Sequence, residues 1–431
     1  MKSNLSSDII IVGGGLTGGL AALALSQNGF EVRVIEGQSP KTMNSSRFDG
    51  RTTAIAYASM RLFRRLGLWE AIADYAEPIS DILVTDGKKQ TRFSDGGLSS
   101  FHMHFDSHHL NSTLDTSTPL GWIVENQAIR RAIFAKMNKT DLIHLHAPAM
   151  RVSSNFGQDQ TNAGTASVTL NDGTQLTAPL ILAADGKKSP LRMEAGIRVN
   201  HWQYPQMGLV ATVSHEVPHE GFAQEYFLPG GPFAILPMTD TKQTSTHFPH
   251  RSSLVWTEKK PIAHQIMSAK GAAFKTELTR RFGPYLGDLS VIGRAFSYPL
   301  SFHLSHEFAK PRLALLGDAA RAMHPIAGQG FNLGVKDIAA LNDVLVEARG
   351  VGLDIGHMSV LHQYQKWRRF DSTALALGTD ILNKMFSNNL APVRLLRDLG
   401  LGVVNTTTPL RKFFMRQAGA DAGTLPSLMR P

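Results

Sequence analysis

The chain has 431 residues, 42% of them apolar, enough for two domains or one large elaborated domain with a sizeable core. Its 44 basic and 35 acidic residues leave a net charge of +9, which suits anionic partners, but no Lys/Arg run of nucleic-acid type occurs and nucleic acid is not an expected partner. There is no cysteine, which excludes disulfides, thiolate metal sites, iron–sulfur clusters and a cysteine nucleophile.

The opening residues MKSNLSSDIIIVGGG lack a signal-peptide layout, and no apolar run of about 18 residues follows. The expectation is a soluble, cytoplasmic protein. In DIIIVGGGLTGGLAALALSQNGFEVRVIE, Ile9 to Val12 is a β-branched run of strand type. Gly13, Gly15 and Gly18 fit G-x-G-x-x-G, and Leu16 to Gln27 reads as a small-residue helix stopped by Gly29. Val32, Val34 and Ile35 form a second strand that ends at Glu36. Gly13 permits a tight turn, Gly15 lets a pyrophosphate approach the backbone, and Gly18 lets helix and sheet pack closely. The helix N-terminus offers free N–H groups to that pyrophosphate, and Glu36 can bind two ribose hydroxyls. An acid there disfavours a 2′-phosphate, so the nucleotide is FAD or NAD rather than NADP.

FHMHFDSHHL, residues 101–110, carries His102, His104, His108 and His109. An H-x-H on a strand puts two rings on one face, but no matching carboxylate cluster appears, so a polar loop is preferred to a metal site. SSNFGQDQTNAGTAS, residues 153–167, reads as an exposed loop. Residues 168–192, VTLNDGTQLTAPLILAADGKKSPLR, read as two strands joined at Asn171-Asp172-Gly173, then an apolar strand ending in Asp185-Gly186. An acid at such a strand end lies on the ligand side of a doubly wound sheet, although an ordinary Asp-Gly turn has the same sequence. QEYFLPGGPFAILPM (224–238) and SSLVWT (252–257) alternate as half-buried strands. RLALLGD is a further strand ending in Asp318, and Gly328, Gln329 and Gly330 lead into a helix with Leu333, Ile338, Leu341 and Leu345 at helical spacing. A second helix N-terminus thus follows a second glycine loop. Residues 366–417 alternate apolar clusters with basic residues, which suits either an anionic membrane surface or a helical cap with a solvated basic face.

Gly13–Gly18 with Glu36, then ADGKKSPLR, then GDAARAMHPIAGQG resemble, in this order, the group A flavoprotein monooxygenases with the p-hydroxybenzoate hydroxylase fold. DGRTTAIAYASMRLFRRLGLWEAI (49–72), GWIVENQAIRRAI (121–133), GPFAILPM, HPIAGQGFNLGVKD and TDILNKMF (379–386) are similar to the ubiquinone-biosynthesis hydroxylases, nearest to the 2-polyprenyl-6-methoxyphenol hydroxylase branch. The resemblance implies an α/β fold with an α+β substrate sheet. A Rossmann-like FAD-binding domain (1–78, 116–200 and 300–365) would interlace with a mixed β-sheet substrate domain (79–115 and 201–299), followed by a C-terminal helical region (366–431).

It also implies noncovalent FAD, O2 as co-substrate, and NAD(P)H or a protein electron donor as transient reductant. A flavin C4a-hydroperoxide would hydroxylate a polyprenylated phenol. By motif, Gly13, Gly15, Gly18 and Glu36 would hold the ADP half, with Arg51 and Asn126 at the nucleotide. Asp185 and Gly186 would lie at the pyrophosphate side and serve NAD(P)H use, and Asp318 would bind the ribityl chain. Gly328, Gly330, Phe331 and Asn332 would border the flavin ring, with Pro325 beside its C4a and His324 nearby as a catalytic candidate. Phe227, Pro229 and Phe233 would wall a prenylated phenol, although a single aromatic on such a strand is more often plain sheet core. The family often has His after Gly-Asp-Ala-Ala, where this chain has Arg321. The family uses no metal. A ubiquinone-biosynthesis complex and peripheral contact with the inner membrane are further expected associations. A flavin-binding scaffold without catalysis is the competing class. A halogenase of the same fold would carry Trp-x-Trp, which none of the five tryptophans makes.

Overall fold

Ile9–Val12 forms β1 with every side chain buried, as expected for a strand covered on both faces. It opens into α1 (Leu16–Gln27), whose small and apolar residues are packed between two later helices. Gly29 closes the unit at φ +80° and β2 (Val32–Ile35) follows. The chain continues through β3 (Thr52–Ala56), β4 (Asp81–Thr85), β5 (Gly121–Glu125), α2 (Asn126–Met137), β6 (Ile143–His146) and β7 (Leu180–Ala183). Long antiparallel strands come next: β8 (Val199–His215), β9 (Phe222–Leu228), β10 (Gly231–Met238) and β11 (His250–Lys259). Then come α3 (Lys260–Ser268), α4 (Ala272–Phe282), β12 (Leu289–Ser305), β13 (Leu313–Leu315), α5 (Gln329–Gly350) and α6 (Met358–Phe386). This computed structural model describes residues 4–46, 49–85, 102–106, 118–157, 164–241, 247–269, 272–323, 328–386, 419–421 and 423–431. Among them, no helix is long and apolar enough to cross a membrane.

Two sheets carry the architecture. One runs Ala309–Lys310, β13, β7, β1, β2, β6, and its neighbours from β13 to β6 are all parallel. α1 packs on it, and α2 and α5 pack against α1, closely: a methyl on Gly19 of α1 would lie 2.4 Å from the Ile133 side chain of α2. The other runs Arg321–Ala322, β12, β8, β11, β10, β9, β4, His102–Asp106, antiparallel except for β9 beside β4. One face of this second sheet carries Leu209, Tyr226, Phe233, Leu254 and Trp256, which form a separate core with α3 and α4. The opposite face contributes Ala223, Phe227 and Met238 to the main core, turned toward β3 and β5. Each large side chain buried in these cores contributes about 1.5–3 kcal/mol.

Three expectations need correction. Residues 153–155 and 166–167 are not loop; they belong to the antiparallel strands Arg151–Asn155 and Ala166–Leu170. The first of these is an exposed edge strand, whose polar residues look like loop because no second layer covers it. His102–Asp106 is an edge strand rather than a polar loop, and His104 Nε2 lies 2.7 Å from Asp81 Oδ1 across it. In the basic KWRRF stretch of α6, Arg368 is fully buried in an ion pair instead of lying on a solvated face. His108, His109 and residues 387–418 lie outside the described residues.

Candidate functional site

β1, β7 and β13 are adjacent and in register, with Ala183 opposite both Val12 and Leu315. Their C-terminal ends therefore bring Gly13, Asp185 and Asp318 to one edge, although the three lie far apart in sequence. Gly13 has φ +102°, and a methyl there would lie 2.3 Å from the Ala184 carbonyl. A methyl on Gly18 would lie 1.8 Å from the Gly13 carbonyl, so close packing of helix on turn demands glycine. Gly15, by contrast, faces open space. The Gly14 N–H donates to Glu36 Oε2 at 2.8 Å and the Gln38 N–H to Oε1 at 2.7 Å. These bonds fix the carboxylate beside the glycine turn and leave lone pairs for further donors.

The Leu191 N–H donates to Asp185 Oδ2 at 3.4 Å, while Oδ1 is buried without a partner among the described residues. Burial raises the Asp185 carboxyl above the usual carboxylate range. Gly186 adopts φ +82° beside open space. The Asp318 side chain has no hydrogen bond among the described residues and is open to solvent, yet protein surrounds it, as on the wall of a cleft. That burial pushes its pKa up, against the pull of the Arg321 and Lys187 charges. Arg192 locks these two turns together, donating to the carbonyls of Ala319 at 2.8 Å and Lys187 at 3.0 Å. Sequence reading missed Arg192; its signal was the arginine that closes ADGKKSPLR.

α5 begins at Gly328, which caps it with left-handed φ +61°. Its first-turn amides, those of Gly330 and Phe331 among them, have no intrahelical acceptor, and Gly330 faces open space. The Asn332 amide reaches back to β3, donating to Ala54 O at 2.9 Å and accepting from the Ala56 N–H at 3.0 Å. Phe331 packs against Phe63 with ring centroids 6.3 Å apart. Further along the helix, Gly334 sits against the Gly317 backbone and Thr17, so both glycine loops meet at one place. Asn126 N–H donates to the Arg51 carbonyl at 3.0 Å, and Asn126 Oδ1 accepts from Thr53 Oγ1 at 2.6 Å. Arg51 itself is exposed and bonds Asp49. His324 and Pro325 lie outside the described residues.

The three expected substrate walls do not share a face. Leu228 pairs with Gly231 across a two-residue turn, which sets Tyr226 opposite Phe233 and Phe227 opposite Pro232. Phe227 faces β3 and β5, Pro229 is exposed at the turn, and Phe233 is 0% exposed in the core beneath α3 and α4. Phe233 is therefore corrected to a core residue on the far face. Among the described residues, Arg251 of the sheet donates to Glu125 of β5 at 2.8 Å, and Thr52 of β3 donates to Ser253 of the sheet at 2.9 Å. No cluster of three metal-ligating side chains occurs among the described residues.

Residues 6–375 match the family model described as FAD binding domain. Ubiquinone hydroxylase UbiL of Rhodospirillum rubrum is 40% identical, over 98% of this chain and 92% of that protein. The 3-demethoxyubiquinol 3-hydroxylase of Escherichia coli is 33% identical, over 96% of this chain and 99% of its own. The crystal structure of p-nitrophenol 4-monooxygenase PnpA from Pseudomonas putida shares the fold, with a TM-score of 0.75 at 19% identity over 99% of this chain and 100% of that one. FAD fits the residues present: open space before Gly15 and Gly330, an orphaned buried oxygen on Asp185, and an unpartnered carboxyl on Asp318. The chain belongs to the FAD binding domain family and, within it, to the ubiquinone hydroxylases, which are FAD-dependent monooxygenases.

Proposed function

We propose that this protein hydroxylates the aromatic ring of a polyprenylated phenol in ubiquinone biosynthesis. The observation that carries this reading is the 40% identity to a ubiquinone hydroxylase over 98% of the chain, which takes in the second sheet as well as the cofactor edge. Residues 1–78, 116–200 and 300–365 would form the FAD unit, 79–115 and 201–299 the substrate unit, and 366–431 a helical addition. NAD(P)H or a protein donor would supply electrons. Association with other biosynthetic proteins and with the inner membrane surface follows from a lipid-like substrate.

Gly13, Gly15 and Gly18 admit the pyrophosphate and Glu36 accepts from the adenosine ribose, with Arg51 and Asn126 at the nucleotide. Asp185 and Gly186 serve the pyrophosphate side, and Asp318 accepts from the ribityl hydroxyls. Gly328, Gly330, Phe331 and Asn332 carry the α5 N-terminus to the ring edge. Bound and reduced, FAD supplies with O2 an electrophilic oxygen atom for the ring. The α5 amides stabilise negative charge beside them without reorganising. Phe227 and the turn at Pro229 border the substrate side and keep water from the reacting atoms. His324 and Pro325 are proposed next to the reaction from their motif alone.

The test is purification followed by oxygen uptake with reductant and a prenylated phenol, together with complementation of strains blocked at each ring-hydroxylation step. Phenol-dependent uptake and rescue of one step are expected. Bound flavin without uptake, and rescue of no step, would overturn the reading in favour of a scaffold.

A further inference from the structure

Across the sheet face turned toward β3 and β5, one row of cross-strand neighbours stays partly open. Phe296 of β12 pairs with Val210 of β8, Val210 with Val255 of β11, and Val255 with Ala234 of β10. Ala234 in turn pairs with Glu225 of β9. Every residue from Phe296 to Glu225 keeps some exposure, whereas Thr212 and Ser253 on one side and Thr257 and Phe227 on the other are buried. This row, joined by partly open Leu236 beside Ala234 and by exposed Arg294 and Tyr298 beside Phe296, forms the floor of a groove that widens toward Phe296. Beyond Glu225 the row ends at buried Val84 of β4.

The groove passes β3 and the residues that lead into it. At its open end the Phe296 ring lies against Gly50, where a methyl would come within 2.7 Å of it, next to Arg51. Alongside, Ser253 accepts the hydrogen bond from Thr52. The floor is apolar except for Glu225, so it suits a greasy molecule with a single hydroxyl. Among the described residues nothing donates a hydrogen bond to the Glu225 carboxyl and no cation pairs with it. Among the described residues, the carboxylates on elements packed against this face lie beside other groups. Glu77 lies 4.0 Å from His219, Glu125 2.8 Å from Arg251, and Asp371 2.9 Å from both Lys336 and Arg368. Tyr298, against Gly208 on the same face, has its phenol pKa raised by burial and stays neutral.

We propose that Glu225 is the base that accepts the proton of the substrate's phenolic hydroxyl in this groove, an inference that rests on the function proposed above. The phenolic O–H bond breaks and the proton passes to a Glu225 carboxylate oxygen. The electron pair stays on the phenolic oxygen and conjugates into the ring, enriching the carbon that meets the electrophilic oxygen. Glu225 is neither oxidised nor reduced, and its proton returns to solvent after product leaves. Burial pushes its pKa up to about 7, closer to a phenol than an ordinary carboxylate is, which makes it a better-matched base at neutral pH.

The experiment uses the full chain loaded with FAD and kept oxidised, with 2-prenylphenol and its methyl ether titrated calorimetrically at pH values on both sides of the Glu225 ionisation. Wild type is expected to prefer the phenol by about tenfold when Glu225 is ionised, the preference fading as pH falls and the carboxylate is protonated. Glu225→Ala is expected to lose that preference and its pH dependence while still binding the ether. In turnover, Glu225→Gln is expected to lower hydroxylated product about 100-fold and flatten the rise of rate with pH, and Glu225→Asp to recover part of it. An undiminished preference in Glu225→Ala, or an unchanged pH profile in Glu225→Gln, overturns the base and leaves the substrate reading standing. Failure of wild type to bind either probe overturns both.

Discussion

Arg321 and Asp337 meet through two hydrogen bonds, Nη1 to Oδ2 at 2.8 Å and Nη2 to Oδ1 at 3.0 Å, with the arginine 3% and the aspartate 0% exposed. Asp337 also accepts from Arg368 Nε at 2.9 Å and from the Gly317 N–H at 3.1 Å. One carboxylate thus holds the turn that carries Asp318, the strand Arg321–Ala322, α5 and α6. The arginine that replaces the family's frequent histidine points into this buried network. Removing one partner of such a pair strands a buried charge and costs about 3–5 kcal/mol. Asp337→Ala, which strips Arg321 of its carboxylate and leaves Arg368 only Asp371, is expected to lower the urea midpoint more than Arg321→Met, which leaves Asp337 its Arg368 partner. Equal midpoints for both variants and wild type would show that the network adds no stability.

The βαβ unit was legible because strand, glycines, helix and acid are consecutive, and the structure reproduces Leu16–Gln27 to the residue. That β7 would lie beside β1, and β13 beside β7, was suggested only by their terminal acids, since strand order is set by packing over long separations. Arg321, Asp337 and Arg368 were illegible: in sequence each is an ordinary charged residue, and burial is what gives it meaning. The opposite facing of Phe227 and Phe233 was within reach. A two-residue turn at Pro229-Gly230 pairs 228 with 231, and alternation then puts 227 and 233 on opposite faces.

Gly15 and Gly18 separate ligand binding from folding. Gly18→Ala would drive a methyl into the Gly13 carbonyl, which is backbone and cannot yield, so loss of both stability and FAD is expected. Gly15→Ala meets nothing within 4 Å in the protein, so the fold should hold while the methyl occupies the approach to the pyrophosphate. A fluorescence titration with FAD should show affinity down by at least about tenfold in Gly15→Ala, with an unfolding midpoint like that of wild type. A Gly15→Ala protein that binds FAD as tightly as wild type would remove Gly15 from the cradle.

Arg251 and Glu125 form a buried tie between β11 and β5. Arg251 Nη2 reaches Glu125 Oε1 at 2.8 Å and Thr239 O at 2.6 Å, and Gln127 holds the other Glu125 oxygen at 2.6 Å. Arg251→Met leaves Glu125 buried without its cation, at a cost of about 3–5 kcal/mol. Because the tie fixes the sheet against β5, unproductive transfer of reducing equivalents to O2, released as hydrogen peroxide, should rise. The check is the ratio of product to NAD(P)H consumed, alongside the thermal midpoint. A fall in stability with an unchanged ratio would confine the pair to a structural role.

Two buried histidines set the acid limit of the fold. Burial lowers His215 to about 4, and its ring nitrogens lie 2.8 Å from Val217 O and 2.9 Å from Ser252 Oγ. Burial, then the charges of Arg192 and Lys187, lowers His303 to about 3. A histidine depressed in the folded state binds its proton more readily when unfolded. Its contribution to stability is therefore fully present above the unfolded value near 6.5 and is lost as pH falls toward the folded value. At pH 5 each is expected to remove about 2 kcal/mol relative to pH 8. Urea midpoints at pH 5, 6, 7 and 8 should fall on the acid side for wild type, and the fall should be shallower for His303→Gln, which cannot charge. A variant curve parallel to wild type over that interval would mean that His303 takes up its proton equally in the folded and unfolded chain, against its burial.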